Sequence, residues 1–178
     1  MPDPAPFIAF SGRYLDVIWE EGAEYTHNRR ARGVVLVIPI TRAGEIIFIE
    51  QHRLALKRHV IEYPAGLVGD EADGSESFET AARRELLEES GYEAGELEFL
   101  LRGPASPGSS TEVVDFYLAH DARRVGEGGG VDHERITVHC VKLAEAFQFL
   151  DTMTARGAMV DPRVYLGVYC ALERYKRQ

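Results

Sequence analysis

The sequence predicts a mixed α/β (α+β) fold, with a mixed sheet between helices and a small antiparallel meander of strands before it. The order of the predicted elements supports this fold class. Strands come first, one helix lies in the middle of the chain, and further strands and two helices follow. The 178 residues suit one domain with a small appendage and are enough to bury a substantial core.

The charge of the chain narrows the class of partner. The net charge of −9, from 29 acidic and 20 basic residues, argues against a protein that grips long nucleic acid through its phosphates. A small anionic substrate stays compatible with this charge, because a bound metal ion reverses the local field.

Cysteine usage and apolar runs bear on location. Cys140 and Cys170 lie in apolar segments without metal-ligand spacing, so we expect reduced, buried thiols. The chain shows no signal-peptide pattern, and its longest apolar run, 33–40, is too short to span a membrane. We therefore expect a cytoplasmic protein without a membrane partner.

The N-terminal segment predicts a separate small unit. Residues 7–28 alternate in short runs around turn signals at Ser11-Gly12 and Glu21-Gly22, which indicates an antiparallel meander. A few strands cannot bury a core alone, so the meander must pack on the main domain or on a second subunit. We place the boundary between a meander of residues 1–32 and a main domain of residues 33–178.

Strands and helices alternate through the main domain. The β-branched run 33–40 predicts a strand that is buried on both faces. Further strands are expected at 45–51, 59–63, 97–101, 113–119 and 136–141. The glycine-rich segment 126–130 predicts a flexible surface loop. Amphipathic spacing predicts a helix over 143–156, and Pro162 at the first helical position predicts the last one, over 161–176.

The central helix is predicted over residues 74–92. Ser77 is suited to the N-cap, and Gly91 is suited to the left-handed position that ends a helix. Within this stretch three glutamates follow one another at a spacing of three and four residues, which places them on a single face.

The placement of Glu85, Glu88 and Glu89 on one face requires a physical explanation. Like charges one turn apart destabilise a helix by about 0.2–0.5 kcal/mol per pair. A solvated acidic face is the ordinary explanation for such a cluster taken alone. A divalent cation is the other, since Mg²⁺ prefers carboxylate oxygens and bridges them to phosphates.

The wider pattern favours the cation. Glu76 is followed after seven residues by Arg-Glu-Leu-Leu-Glu-Glu-Ser-Gly-Tyr at 84–92, and this resembles the signature of the Nudix hydrolases. One position departs from the family pattern, in which five residues separate a glycine from the glutamate. Here the best equivalent, Gly66, is separated from Glu76 by nine residues, so the loop 69–74 is longer. The resemblance implies an α/β/α sandwich.

Four further segments extend the resemblance towards the ADP-ribose pyrophosphatases and, nearly as closely, the GDP-mannose hydrolases. They are Gln51-His52-Arg53, Tyr63-Pro64-Ala65-Gly66, the loop from Ser106-Pro107-Gly108 to Glu112, and the acidic loop from Gly128 to Glu134. The Ser-Pro-Gly loop is typical of the ADP-ribose type. The run of glycines before the acidic loop is closer to the GDP-mannose type.

The resemblance implies a role for each residue. The metal ligands would be the carbonyl of Ala65 and the side chains of Glu85, Glu88 and Glu89. Arg84 and Glu76 would form a structural pair. The general base would come from the acidic loop, with Glu134 favoured over Asp132 because the shorter side chain reaches less far. The substrate-binding residues would be Arg53, Leu67, Ser106, Gly108 and Glu112.

The function implied is hydrolysis of a nucleoside diphosphate sugar at its pyrophosphate bond, with Mg²⁺, or Mn²⁺ in its place, as cofactor. ADP-ribose is the favoured substrate, giving AMP and ribose 5-phosphate, and GDP-mannose is the alternative. A binding protein that does not cleave its ligand, and an RNA-cap or (d)NTP hydrolase, are the other hypotheses. The family also implies a homodimer with exchanged meanders.

Overall fold

The computed structural model describes residues 5–69, 75–131 and 135–175. The predicted fold class is confirmed, because a mixed sheet core lies between helices and an antiparallel three-stranded meander precedes it. The strands are β1 Phe7–Ser11, β2 Leu15–Glu20, β3 Ala23–Asn28, β4 Gly33–Pro39, β5 Glu45–Arg53, β6 Arg58–Glu62, β7 Ala65–Val68, β8 Tyr92–Glu93, β9 Glu96–Pro104, β10 Val113–His120, β11 Arg123–Arg124, β12 Ile136–Lys142 and β13 Met159–Val160.

The helices of the described residues are α1 Phe78–Glu85, α2 Ala146–Ala155 and α3 Pro162–Tyr175. A π-helical turn, Leu86–Ser90, continues α1, and a 3₁₀ turn, Leu143–Glu145, precedes α2. None of these helices has the length and apolar character that crossing a membrane requires.

Two four-stranded sheets form the core. One has the order β7-β4-β10-β9, with β4 and β10 parallel, and the other has the order β12-β5-β6-β13. Strand β4 is buried along its whole length, as its continuous apolar sequence predicts. Alternate residues of β4 enter different clusters. Val35 and Val37 pack with α1, whereas Leu36 and Ile38 pack with α2 and α3.

The meander contacts the rest of the chain through β3. The Thr26 N–H donates to the Ser109 carbonyl at 2.9 Å, and the Thr111 N–H donates to the Thr26 carbonyl at 3.0 Å. Strand β1 is exposed at every residue. Its apolar side chains Phe7, Ile8 and Phe10 therefore have little cover within one chain.

Several local expectations were wrong. The predicted helix over 74–92 is α-helical only to Glu85, and its second half is the π-helical turn. The sequence predicts no strand over Ala65–Val68, yet these residues form the edge strand β7. Both cysteines are free, but Cys140 is exposed and Cys170 only half-buried, because each lies on an element with one outward face.

Candidate active site

The N-terminus of α1 is fixed by Ser77. Its Oγ accepts a hydrogen bond from the Thr80 N–H at 3.0 Å, which satisfies one of the donors left free at the start of a helix. Ala81 and Ala82 are fully buried against the sheet, and their small side chains let the helix approach β4 and β7 closely. This packing determines which face of the helix carries the acids.

The π-helical turn forms the second half of the acidic face. Leu86 is fully buried, and the Ser90 Oγ donates to the Leu86 carbonyl at 2.5 Å. Gly91 ends the turn with a φ of 73°, the left-handed conformation that glycine adopts without strain. π-Helical turns within helices are rare and occur frequently at functional sites. Here the turn carries Glu88 and Glu89.

Two of the glutamates meet the edge strand β7. The Glu89 side chain is only 3% exposed, and its Oε2 accepts a hydrogen bond from the Ala65 N–H at 2.9 Å. A side chain on Gly66 would overlap the Glu85 carboxylate, so the glycine leaves room for that carboxylate beside the strand. Both carboxylates therefore lie against the backbone of Ala65 and Gly66.

Arg84 lies among the acids. Its Nε donates to Glu76 at 2.8 Å, and its Nη1 donates to Glu85 at 2.8 Å and to Glu88 at 3.2 Å. The hydrogen bond from Arg84 holds the pKa of Glu76 below its ordinary value, and in turn the Glu76 carboxylate raises the pKa of Arg84. One guanidinium thus contacts three carboxylates and neutralises only part of their charge. Its Nη2 also donates to the Leu67 carbonyl at 3.3 Å.

The potential ligand atoms at this site are oxygens, which hard divalent cations prefer. Within residues 5–69, 75–131 and 135–175, no three His, Cys, Asp or Glu side chains converge at metal-binding separations. The available atoms are carboxylate oxygens of Glu85, Glu88 and Glu89 and the Ala65 carbonyl, which are the ligands that Mg²⁺ and Mn²⁺ take. The position that a Cβ on Gly66 would take is occupied by the Glu85 carboxylate, which therefore lies directly against β7.

Arg53 lies at the end of β5 and is held by Glu62 of β6. Its Nε donates to both carboxylate oxygens, at 3.1 and 2.9 Å, and its Nη2 lies 2.7 Å from Oε2. Glu62 is buried and also accepts from the Gln51 side chain at 2.9 Å. The Arg53 side chain is 45% exposed. One edge of its guanidinium is therefore bonded to Glu62, and the rest is open to solvent.

The Ser106 turn and Glu112 lie beside the meander. The Ser106 Oγ is 2.7 Å from the Ser109 Oγ, and a Cβ added to Gly108 would meet open space. Glu112 is half-buried and accepts through its carbonyl from the Ala105 N–H at 3.0 Å. Beside it is a small cavity of about 70 Å³, lined in part by Arg32 and His27.

Not every predicted site residue can be placed. Asp132 and Glu134, predicted to supply the base, lie outside the described residues. The segment 126–130, expected to be a flexible surface loop, is at the surface. Its backbone is hydrogen-bonded to the end of the carboxylate helix, which comprises α1 and the π-helical turn Leu86–Ser90.

Sequence reasoning also missed several charged residues beside the site. Glu62 had no motif to mark it, and its partnership with Arg53 depends on the pairing of β5 with β6. Arg163, at the start of α3, is bonded to Asp161 through Nε at 2.9 Å. The Asp161 carboxylate raises the pKa of Arg163, and the charges of Glu62 and Glu112 add to it, so Arg163 lies within electrostatic reach of both.

The fold and this loop–helix arrangement define a Nudix-type hydrolase. The NUDIX domain family matches residues 29–162, and the chain belongs to this family, as the sequence predicts. Nudix hydrolases generally use divalent metal ions, which agrees with the donor set.

Two proteins similar in sequence to this chain are named as pyrophosphatases. The chain is 31% identical over 160 residues to the ADP-ribose pyrophosphatase of Bacillus subtilis (strain 168), a match covering 82% of this chain and 84% of that one. It is 30% identical over 149 residues to the GDP-mannose pyrophosphatase of Escherichia coli (strain K12), covering 77% of this chain and 75% of that one.

The chain also resembles a protein with a different name and a solved structure of low sequence identity. The chain is 33% identical over 122 residues to the methanol dehydrogenase activator of Bacillus methanolicus, covering 68% of this chain and 64% of that one. It thus spans just under two thirds of that relative's length. The crystal structure of an ADP compounds hydrolase superposes with a TM-score of 0.74, covering 99% of this chain and 94% of that one at 22% identity. At this identity the likeness establishes the fold.

Proposed function

We propose that the protein hydrolyses the pyrophosphate bond of nucleoside diphosphate sugars with the help of a divalent metal ion. The observation that carries the proposal is the meeting of Glu85 and Glu89 with the backbone of β7, where Glu89 bonds the Ala65 N–H at 2.9 Å. This brings oxygen ligands from a helix and from a strand to one place. The similarity to an ADP-ribose pyrophosphatase and to a GDP-mannose pyrophosphatase supports the substrate class.

The cofactor in this proposal is Mg²⁺, with Mn²⁺ as a substitute. The Ala65 carbonyl, Glu85, Glu88 and Glu89 would hold it. When bound, such a cation would neutralise negative charge on the pyrophosphate oxygens and would lower the pKa of the attacking water, which eases loss of its proton. Arg84 has a supporting role, because its hydrogen bonds to Glu76, Glu85 and Glu88 determine where those carboxylates lie before the ion arrives.

The remaining residues bind substrate and move a proton. Arg53 binds phosphate oxygens with the open side of its guanidinium, while Glu62 holds the other side and prevents the fork from turning away. Glu134 removes the proton from the attacking water, with Asp132 as the alternative base. The sugar and base are bound by a set of residues comprising Leu67, Ser106, Gly108 and Glu112.

ADP-ribose is the first substrate proposed, with AMP and ribose 5-phosphate as products. The position of the Ser106 turn favours it, because that turn lies between the main domain and the meander, beside half-buried Glu112. GDP-mannose is the second candidate. The glycine-rich segment 126–130 and the similarity to a GDP-mannose pyrophosphatase favour this alternative.

We further propose a homodimer in which each meander, residues 1–32, packs on the partner's main domain, residues 33–178. The support is the uncovered apolar surface of the meander. Its large apolar side chains expose between 46% and 65% of their area, and they are Phe7, Ile8, Phe10, Tyr14 and Leu15. Exposed apolar surface of this kind is common at protein–protein interfaces. Light scattering at several concentrations tests the assembly.

Incubation with ADP-ribose, GDP-mannose or dGTP, each with and without Mg²⁺, tests the activity. Chromatography of the nucleotide products should show Mg²⁺-dependent AMP from ADP-ribose. Release of GMP from GDP-mannose at a higher kcat/KM would favour the second candidate, and faster turnover of dGTP would contradict the proposed substrate class. Calorimetric binding of ADP-ribose without any turnover would identify a binding protein instead.

A further inference from the structure

The glycine-rich segment is joined to the last turn of the carboxylate helix by backbone hydrogen bonds. The Gly129 N–H donates to the Glu89 carbonyl at 2.9 Å, and the Gly130 N–H donates to the Glu88 carbonyl at 3.0 Å. Glu88 and Glu89 are two of the proposed metal ligands. Their backbone is therefore held by a segment about 40 residues further along the chain.

These bonds provide partners for carbonyls at the end of the helix. The last carbonyls of a helix have no partner within it and must find one elsewhere. Here the Leu86 carbonyl accepts from the Ser90 Oγ at 2.5 Å, and the Leu87 carbonyl accepts from the Gly91 N–H at 2.8 Å. The next two carbonyls are those bonded by segment 126–130. The segment thus supplies the C-terminal cap of the helix from a distant part of the chain.

The contact requires glycine on both sides. Gly91 and Gly128 have φ values of 73° and 69°, in the left-handed region. A Cβ on Gly128 would lie 2.6 Å from the Gly91 nitrogen, and a Cβ on Gly91 would lie 2.5 Å from the Gly126 carbonyl oxygen. The two backbones touch directly. A single methyl group would push the segment off the helix end.

Both the backbone and the side chain of Glu89 are therefore hydrogen-bonded. Its backbone carbonyl accepts from Gly129, and its side-chain carboxylate accepts from the Ala65 N–H. The carboxylate can meet β7 only if the last helical turn keeps its place, and helix ends without a cap open readily. Preorganised ligands bind a metal more tightly, because less ordering remains to be done on binding.

We propose that Gly128 is a positioning residue for the metal ligands: by docking segment 126–130 on the helix end, it fixes Glu88 and Glu89 in the geometry that binds the cation. This inference rests on the proposed function, since it takes Glu88 and Glu89 as ligands. The residue acts through backbone contacts and touches neither metal nor substrate. Its effect is therefore on metal affinity.

The test is Mn²⁺ titration of Gly128→Ala in the absence of substrate, with Gly126→Ala as control. A Cβ on Gly126 comes no closer than 3.9 Å to Gly91, and its N–H is retained. We expect Gly128→Ala to weaken Mn²⁺ binding about 10–100-fold, as loss of a group supporting a metal ligand does. The control should stay within about two-fold of wild type, as surface substitutions do.

A second measurement uses the wild-type protein and decides the matter if Gly128→Ala does not fold. Mn²⁺ should slow hydrogen exchange at the Gly129 and Gly130 amides about ten-fold or more, because the ion and the cap stabilise the same turn. Unchanged exchange overturns the inference, as does wild-type affinity in folded Gly128→Ala. Absence of Mn²⁺ binding by the wild type would contradict the proposed function itself and with it the inference.

Discussion

The Glu89 carboxylate and the Ala65 N–H are hydrogen-bonded at 2.9 Å, and this bond joins the helix to the edge strand β7. In an extended strand the carbonyl of a residue points to the same side as its own N–H. The Ala65 carbonyl therefore faces the same side as Glu89. One backbone position thus presents both a donor that orients the acid and an acceptor suited to a cation.

Replacing Glu89 by Gln separates its hydrogen bond to Ala65 from its negative charge. The amide oxygen can still accept from the Ala65 N–H, so we expect the melting temperature to change little. The lost charge should lower kcat by about 100-fold or more, since even supporting groups of a metal site are worth about 10–100-fold. Steady-state kinetics with ADP-ribose and Mg²⁺ measure this. The matched control is Glu79→Gln, at an exposed glutamate in the first turn of the same helix that forms an ion pair with Arg83. Near-wild-type turnover by the Glu89 variant would contradict its assignment as a ligand.

Gly66→Ala tests the close approach of the helix to β7. The added methyl group overlaps the Glu85 carboxylate, so that side chain must move away from the strand. We expect a loss of about 1–3 kcal/mol in the free energy of unfolding, as for other overpacked sites, together with weaker Mn²⁺ binding. Denaturant titration and metal titration measure the two effects. Gly103→Ala is the control, because its Cβ would meet nothing closer than 3.8 Å. Unaltered Mn²⁺ affinity in the Gly66 variant would argue against Glu85 as a ligand.

The features that the sequence predicts well are those determined by near neighbours. The N-cap at Ser77, the acids on one helix face and the glycine that ends the turn all depend on residues within two helical turns. The buried strand β4 is equally local, because a continuous apolar run has no outward face. Such features follow from helix geometry and from the period of the apolar pattern.

The features that the sequence does not predict depend on tertiary contacts. The composition of segment 126–130 indicates flexibility, yet its glycines allow a backbone contact that a bulkier residue would prevent. The role of Glu62 is similar, since its partner Arg53 lies on the neighbouring strand. The π-helical turn also has tertiary contacts, because Leu86 is buried and the Glu88 and Glu89 carbonyls accept from Gly130 and Gly129. None of these can be read from a local pattern.

Glu62→Gln should weaken the hold on Arg53 without removing the arginine. The carboxylate accepts two hydrogen bonds from the Arg53 Nε and one from Gln51. Because the guanidinium then samples other orientations, we expect KM for ADP-ribose to rise about 5–30-fold, equivalent to losing one charged hydrogen bond of about 1–2 kcal/mol. Arg53→Ala should raise KM further. If the double variant is as impaired as Arg53→Ala alone, Glu62 acts through Arg53, whereas additive effects would contradict this.

Stability should depend on pH through Glu76. The hydrogen bond from Arg84 lowers its pKa in the folded state. A lowered pKa stabilises the protein above the unfolded-state value, near 4.3, and this stabilisation is lost as pH falls through the folded-state value. Glu76→Gln should therefore cost about 1–3 kcal/mol at pH 7 and progressively less in acid. Denaturant titrations of both proteins at pH 7 and near pH 3 measure this. A difference independent of pH would show that the ion pair contributes no charge-dependent stability.

The identity of the general base is tested by comparing three acids under one assay. Glu134→Gln should reduce kcat about 10²–10⁴-fold, the usual contribution of a base that accepts a proton from attacking water. Mn²⁺ affinity should remain, because the proposed ligands lie on the helix and on β7. Glu112→Gln, at the half-buried residue beside the Ser106 turn, should mainly raise KM. The pH profile of kcat adds a second criterion, since loss of the base removes its acidic limb. A larger fall in kcat for Asp132→Asn than for Glu134→Gln would assign the base to Asp132.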